Sequence, residues 1–124
     1  EPPRPRGGPM STAGSAKLLA AGAAWRFTGA APAGRALVGG LVEGDENERT
    51  VAGISLARAG DRSVPLLAAA LSAGTAPDLV VDVLASIGTD AARKVLHKEA
   101  QTDSAAAEPA ARALRTLDEI RRED

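Results

Sequence analysis

The segment DENERTVAGISLARAGDRSVPLL, residues 45–67, contains a helix start, a helix end and a second helix start in close succession. Asp45 is a favourable N-cap residue, and acidic residues follow it in the first helical turn. Gly60 and Asp61 interrupt the apolar run, because glycine commonly ends a helix. Pro65 then stands near the start of the next run, where its missing N–H leaves no helical hydrogen bond unmade. The segment therefore predicts two helices joined by a tight turn.

The same unit recurs along the chain. ALVGGLVEG at 36–44 superimposes on LLAAALSAG at 66–74, an offset of 30 residues. ISLARAGD at 54–61 superimposes on DVLASIGT at 82–89, an offset of 28. Periods near 30 in a chain without strand-like alternation are typical of a solenoid of helix pairs.

Capping residues and glycines divide the remaining sequence in the same way. We predict helices at about 12–27, 33–42, 46–60, 62–74, 76–88, 90–101 and 108–121. The gaps between them are so short that consecutive helices must pack as antiparallel pairs. The fifth helix is apolar nearly all round and should be covered on more than one side. The last helix has one apolar stripe, which includes Ile120, and a charged outer face, as a solenoid cap needs.

The sequence of residues 43–71 resembles a HEAT repeat of the short bacterial type, often called a HEAT-like or phycobilisome-lyase-type repeat. The residues that carry the resemblance are Asp45, Arg49, Ala52, Leu56, Gly60, Asp61, Val64, Pro65, Leu67 and Leu71. Residues 75–101 fit more loosely, because the proline is absent. The resemblance implies an all-α, right-handed α-α superhelix of about three helix pairs plus a closing helix, over residues 11–122. We expect residues 1–10, rich in Pro, Arg and Gly, to form a disordered arm.

Composition excludes several kinds of site. The chain has no cysteine, one histidine, 2% aromatic residues and a net charge of −1. Disulfides, thiolate metal sites and histidine metal sites are therefore excluded. Scarce aromatic rings argue against large cofactor pockets, and balanced charge argues against nucleic acid binding. The apolar run 17–25 is too short to cross a bilayer and is followed by Arg26. We expect no enzyme activity, no cofactor, no metal, no membrane contact and a cytoplasmic location.

Four groups of residues have both a functional and a structural interpretation. His97 with Lys94 and Lys98 is either a proton shuttle or anion contact, or a solvated helix face. Asp78 and Asp82, one turn apart, are either paired carboxylates or surface residues in a first turn that favours acids. Trp25 and Phe27 are expected to fill the core of the first unit, and the alternative is an exposed interface anchor. The acidic residues at 43–48 are better explained by helix capping than by cation binding.

The resemblance is nearly silent on function, and we favour a non-catalytic protein–protein interaction scaffold or adaptor. If the second, fourth and sixth helices form a concave trough, the partner-binding positions are those opposite the core faces. They are Gly40, Glu43, Leu66, Ala69, Ala70, Ala73, Lys94, His97 and Lys98, with Ala36, Gly39 and Gln101 beside them. Such a trough suits a helix or an acidic extended segment of another protein, and end-to-end self-association is a further expectation. The alternatives are a ligand-handling or lyase-type enzyme of the HEAT-like class, and a subunit or fragment of a larger solenoid.

Overall fold

The structure is a computed structural model that describes residues 8–123, with side chains described from residue 14 to residue 120. The helices are α1 (Gly8–Thr28), α2 (Ala31–Glu43), α3 (Glu46–Arg58), α4 (Val64–Ser72), α5 (Pro77–Ile87), α6 (Asp90–Ala100) and α7 (Ala107–Glu123). A short 3-10 helix, Gly60–Ser63, connects α3 to α4. These residues contain no β-strand, so the all-α prediction is confirmed for the described chain. Of the predicted arm, residues 1–7 lie outside the described residues, and residues 8–10 belong to α1.

The helix ends follow the local signals in the sequence. α5 ends at Gly88, whose φ of 64° lies in the left-handed region that glycine adopts without steric cost. The N–H of Gly88 donates to the carbonyl oxygen of Leu84 at 3.0 Å, which satisfies one of the last carbonyls of the helix. α3 and α4 likewise end within two residues of the predicted glycines.

The start of α3 is fixed by a reciprocal pair of side-chain caps. The N–H of Glu48 donates to Oδ1 of Asp45 at 2.8 Å, and the N–H of Asp45 donates to Oε1 of Glu48 at 2.9 Å. This is a capping box, in which two backbone donors at the helix start are satisfied at once. The predicted capping role of Asp45 is confirmed, and the same bonds account for two of the acidic residues at 43–48, Asp45 and Glu48.

The chain divides into two compact units, residues 1–56 and 57–124, with the boundary inside α3. Unit 1 contains α1, α2 and most of α3. Its buried side chains include Leu18 and Trp25 on α1, Leu37 and Leu41 on α2, and Ala52 on α3. Alanine and glycine occupy many of the neighbouring positions, so the backbones of these helices approach closely.

Unit 2 has a core of larger branched residues. α5 contacts α4, α6 and α7, and it buries Val80, Val81, Val83 and Leu84. The prediction that this helix is covered on more than one side is therefore confirmed. α7 packs on both α5 and α6 and buries Ala110 and Leu114, but Ile120 is 54% exposed. The predicted apolar stripe of α7 is thus buried at Ala110 and Leu114 but exposed to solvent at Ile120.

Equivalent positions of successive repeats meet inside unit 2. Asp61 and Thr89 occupy the same place in the two segments that superimpose with an offset of 28. The Thr89 hydroxyl donates to Oδ1 of Asp61, and it also caps α6 by accepting from the N–H of Ala92 at 3.3 Å. α4 contacts α6, and α5 contacts α7, so these two pairs of helices, each next but one in sequence, are packed together.

Candidate functional site

The predicted binding position Ala70 is not on the surface. Ala70 is only 9% exposed and is buried on α4 together with Leu67 and Leu71. The predicted outward facing of Ala70 is wrong because α4 packs against both α5 and α6, so its buried face is wider than a single stripe. Ala69 and Ala73 are exposed as predicted, and Leu66 is half-buried.

Gly40 also differs from its predicted environment. An added Cβ at Gly40 would lie 2.8 Å from Cδ1 of Leu18 and 3.4 Å from Cβ of Ala52. Real Cβ atoms essentially never approach another atom to 2.8 Å, so a side chain at this position would force Leu18 to move. Gly40 is therefore half-buried beside α1 rather than fully exposed, and its role in partner binding stays a prediction. Glu43, one turn further along α2, is exposed as predicted.

The basic residues of α6 lie where the sequence places them. Lys94, His97 and Lys98 are exposed, and the opposite side of the helix buries Ala92 and Leu96. Among the described residues, no group of three or more His, Cys, Asp or Glu side chains could hold a metal ion. The geometry therefore supplies a solvated basic patch, whose role in partner binding stays a prediction.

A groove runs between α1 and α2 within unit 1. Its volume is about 770 Å³, and it opens to solvent along its length. Small residues form most of its walls: Gly14, Ala20, Ala21, Ala24, Pro32, Ala33, Ala36, Gly39, Gly40 and Gly44. Leu18 forms part of its floor, and Lys17, Glu43 and Glu48 lie among its lining residues. The groove exists because alanine and glycine let two helices pack while leaving the space beside their contact line unfilled.

A second apolar surface lies on α1 and consists of Leu19, Ala23 and Phe27, which we call the outer stripe. The three residues are spaced four apart, so they share one helix face. Leu19 is 61% exposed and Phe27 is 74% exposed, while the guanidinium of Arg26 stacks 5.3 Å from the centre of the Phe27 ring. Leu19 and Phe27 are large apolar side chains exposed to water, and they distinguish this face of α1 from its other faces.

The structure separates the two aromatic residues that the sequence analysis had grouped. Trp25 is buried, as expected for a core residue, but Phe27 is not, so the core prediction for Phe27 is wrong. Residues two apart in a helix point about 200° from each other, so both could not have faced one core. The helical period alone therefore indicates that only one of the two aromatic residues can be buried in that core.

The whole-chain net charge hides a strong asymmetry that the sequence analysis missed. No acidic residue occurs between Glu1 and Glu43, whereas the same stretch contains Arg4, Arg6, Lys17, Arg26 and Arg35. The totals are 16 acidic and 15 basic residues, so residues 43–124 hold the other 15 acidic and 10 basic ones. The sequence up to residue 42 is therefore basic and the sequence from residue 43 onward is acidic. A charge count by segment, rather than over the whole chain, would have found this.

The predicted carboxylate pair lines a smaller cleft in unit 2. Asp78 and Asp82 on α5 face Arg112 and Thr116 on α7 across a volume of about 380 Å³. All four residues are exposed. Solvated carboxylates beside a solvated guanidinium lack the buried surroundings that tune an acid or base for catalysis. The cleft is a polar surface feature rather than a constellation suited to acid–base chemistry.

Comparison of the chain with protein-family models, with curated proteins and with solved structures found no match. None of the helices in residues 8–123 combines the length and the apolar character needed to cross a membrane. The surfaces described above are therefore the features of the molecule that bear on its function.

Proposed function

We propose that this chain is a non-catalytic protein-interaction module built on HEAT-like repeats. The contact between the equivalent residues Asp61 and Thr89 supports repeat stacking, because units in a solenoid touch their neighbours through the same positions. The contacts of α4 with α6 and of α5 with α7 support it in the same way. On this proposal the repeats form a short right-handed α-α superhelix, as the sequence resemblance implies.

The α1–α2 groove is the observation that carries the functional proposal. It is large, open and walled mainly by alanine and glycine, whereas the cleft between α5 and α7 is half its volume and polar. Walls without bulky side chains leave room for the bulky side chains of a ligand. An amphipathic helix fits such a groove by placing apolar residues at i, i+3, i+4 and i+7 into it. We therefore assign the groove a helical segment of another protein as its partner.

The remaining predicted positions define a second, weaker candidate surface in unit 2. Ala69, Ala73 and the half-buried Leu66 belong to α4, and Lys94, His97 and Lys98 form the basic patch of α6. An acidic extended segment is the partner that such a patch would attract, mainly by increasing the association rate.

The test compares three alanine-to-arginine variants in capture of partners from the native lysate. Ala36→Arg places a long cation on the wall of the groove, at an exposed position, and should reduce capture at least about tenfold, or about 1.4 kcal/mol. Ala105→Arg is the matched control, because Ala105 is also exposed but lies outside the groove. Ala69→Arg tests the α4 surface separately.

Each variant must retain its thermal unfolding curve, since exposed substitutions usually change stability by no more than about 0.5 kcal/mol. Loss of capture in Ala36→Arg alone supports the groove. Loss in Ala69→Arg alone moves the binding surface to α4 and refutes the groove. Equal capture by all three variants contradicts both assignments.

A further inference from the structure

One face of α2 is open to solvent along most of the helix. It consists of Pro32, Arg35, Ala36, Gly39 and Glu43, which we call the α2 face. Because successive residues are about 100° apart, these five positions span about 100° of the helix circumference, opposite the side that is buried in the core. Four of them are exposed and Gly39 is half-buried. All but Arg35 also line the α1–α2 groove, so the α2 face forms one wall of that groove.

Gly39 lies at the centre of the α2 face, where nothing in the described fold requires a glycine. An added Cβ at Gly39 would meet no described atom within 4 Å, whereas Gly40 beside it avoids a clash with Leu18. The backbone of Gly39 is ordinary α-helix, so no left-handed φ is needed either. Glycine inside a helix is destabilising relative to alanine, because it loses more backbone entropy on folding. What glycine does permit is the close approach of another backbone to α2.

The α2 face has opposite charges at equal distances from Gly39. Arg35 stands four residues before it and Glu43 four residues after it. Both side chains are exposed, and among the described residues neither of them forms an ion pair, nor does Lys17, which also lines the groove. Arg35 and Glu43 are about 12 Å apart along the axis, beyond the three- or four-residue spacing at which charges on one helix pair. The α2 face therefore presents a cation on one side of its centre and an anion on the other.

A second copy of α2, packed antiparallel on the first, complements this pattern. A two-fold axis at Gly39 places each residue opposite the position equally far from Gly39 on the other copy, because such an interface is self-complementary. Arg35 of each copy then meets Glu43 of the other, so two ion pairs form. A parallel pairing would instead bring Arg35 to Arg35 and Glu43 to Glu43. A helix of another protein would need a small residue and two charges at matching positions, which α2 itself already supplies.

We propose that two copies of the chain pair through their α2 faces, antiparallel about a two-fold axis at Gly39, with Arg35 of each copy bound to Glu43 of the other. The face is only about three turns long, which is small beside the roughly 800 Å² that each partner buries in a standard interface. The dimer is therefore weak and dissociates on dilution. A second copy and the partner helix of the proposed function use the same wall, so each displaces the other. The dimer itself needs no partner protein, so this inference goes beyond the proposed function.

Sedimentation velocity of the full chain from about 10 µM to about 1 mM measures this dimer. The mean mass should rise with concentration toward that of two chains. Arg35→Glu and Glu43→Arg should each raise the midpoint concentration at least about tenfold, because each variant brings like charges together on both sides of the axis. An equimolar mixture of the two variants should associate at least as tightly as the unmodified chain, because every charge then meets its opposite. The mixture also controls for folding, since mixing would not rescue variants that fail to fold.

Gly39→Gln tests the close approach separately from the charges. Glutamine is the better helix former and would stand in open space, so the variant should unfold in dilute solution at the same or a higher temperature. It should nevertheless lose the dimer over the whole concentration range, because the added side chain holds the two backbones apart. Ala69→Gln is the matched control, since Ala69 is an exposed helical residue of α4 outside the α2 face. It should leave the midpoint unchanged.

Any of three results would overturn the proposal. The chain could stay monomeric at every concentration, the mixed charge variants could associate no better than either variant alone, or Gly39→Gln could keep the dimer. A dimer that survives these changes but is lost in Phe27→Ser would place the interface on the outer stripe of α1 instead. The proposed function fails by a different measurement, because full capture of partners by Ala36→Arg refutes the groove whether or not the chain dimerises.

Discussion

The first and last helices of the described chain differ in the side chains that they expose to solvent. α7 exposes Arg112, Arg115 and Glu119, and Glu108 lies 3.7 Å from Arg115 across two turns. α1 exposes Leu19 and Phe27 on one face, where Arg26 stacks on the Phe27 ring. Charged side chains on an outer face are well solvated, whereas large apolar side chains in water forgo the free energy of burial. The comparison shows that α7 presents charge to solvent where α1 presents apolar side chains.

The two helices also differ in how their units are packed. α7 covers a core of valine and leucine side chains on α5 and α6, which fill the space between helices. Between α1 and α2, alanine and glycine form most of the walls of the open groove. The same helical architecture thus yields a filled core in one unit and an open surface in the other, and the size of the side chains decides which.

The largest effect should come from truncating the filled core. Leu84 is fully buried on the helix that contacts α4, α6 and α7, so Leu84→Ala should lower the free energy of unfolding by about 2–5 kcal/mol. Leu18→Ala should cost less, because Leu18 borders the groove and its removal opens space that solvent already reaches. Chemical denaturation measures both. If Leu18→Ala costs as much as Leu84→Ala, the contrast between an open and a filled unit is wrong.

A smaller effect should come from the ion pair that ties α7 to α6. Arg93 is 13% exposed and lies 3.2 Å from Asp118, which is 55% exposed. Asp118→Ala should lower the free energy of unfolding by about 1–2 kcal/mol, because it leaves a largely buried guanidinium without its carboxylate. Arg93→Met should cost less, since it fills similar space and removes the buried charge together with an Nε that has no hydrogen-bond partner in the described residues.

Thermal melts of the two single variants and the double variant separate these contributions. The double variant should have nearly the same stability as Arg93→Met, because Asp118 loses its ion pair once the guanidinium is removed. A larger loss in Arg93→Met than in Asp118→Ala would show that the arginine stem, rather than the charge pair, holds α7 in place.

The capping box of α3 should contribute about 1 kcal/mol. Asp45→Ala removes the acceptor for the N–H of Glu48, and an N-cap replaced by alanine typically costs about that amount. Asn47→Ala, in the same turn and exposed, is the control. A double-mutant cycle of Asp45→Ala with Glu48→Ala should show coupling, because each residue bonds the backbone of the other. Additive effects would mean that the two caps act independently.

The smallest effect on stability should come from the outer stripe itself. Phe27→Ser should change the free energy of unfolding by no more than about 0.5 kcal/mol, because Phe27 is 74% exposed. It should nevertheless reduce retention on a hydrophobic-interaction column more than Ile120→Ser does, since Ile120 is the smaller and less exposed side chain. Equal retention by the two variants would remove the contrast between the ends of the chain.

Features set by local interactions were predicted correctly from the sequence, and features set by contacts between distant residues were not. The boundaries of α3, α5 and α6 were predicted within about two residues, because caps such as Asp45 and glycines such as Gly88 act on backbone groups three or four residues away. The burial of Leu67 and Leu71 agrees with the helical period, which by itself places residues four apart on one face of α4. The role of Ala70 was not predicted, because alanine is compatible with either a surface or a core.

The sequence by itself determined an all-helical chain, the places where its helices begin and end, and the repeat that makes Asp61 and Thr89 equivalent. Local hydrogen bonds and steric preferences set these features, and they need no knowledge of distant residues. Only the tertiary structure decided that Gly40 meets Leu18, that Ala70 is buried and that Phe27 is exposed. Each of these depends on which helix covers a given face, and small residues such as alanine and glycine encode that choice weakly because they bury little apolar area.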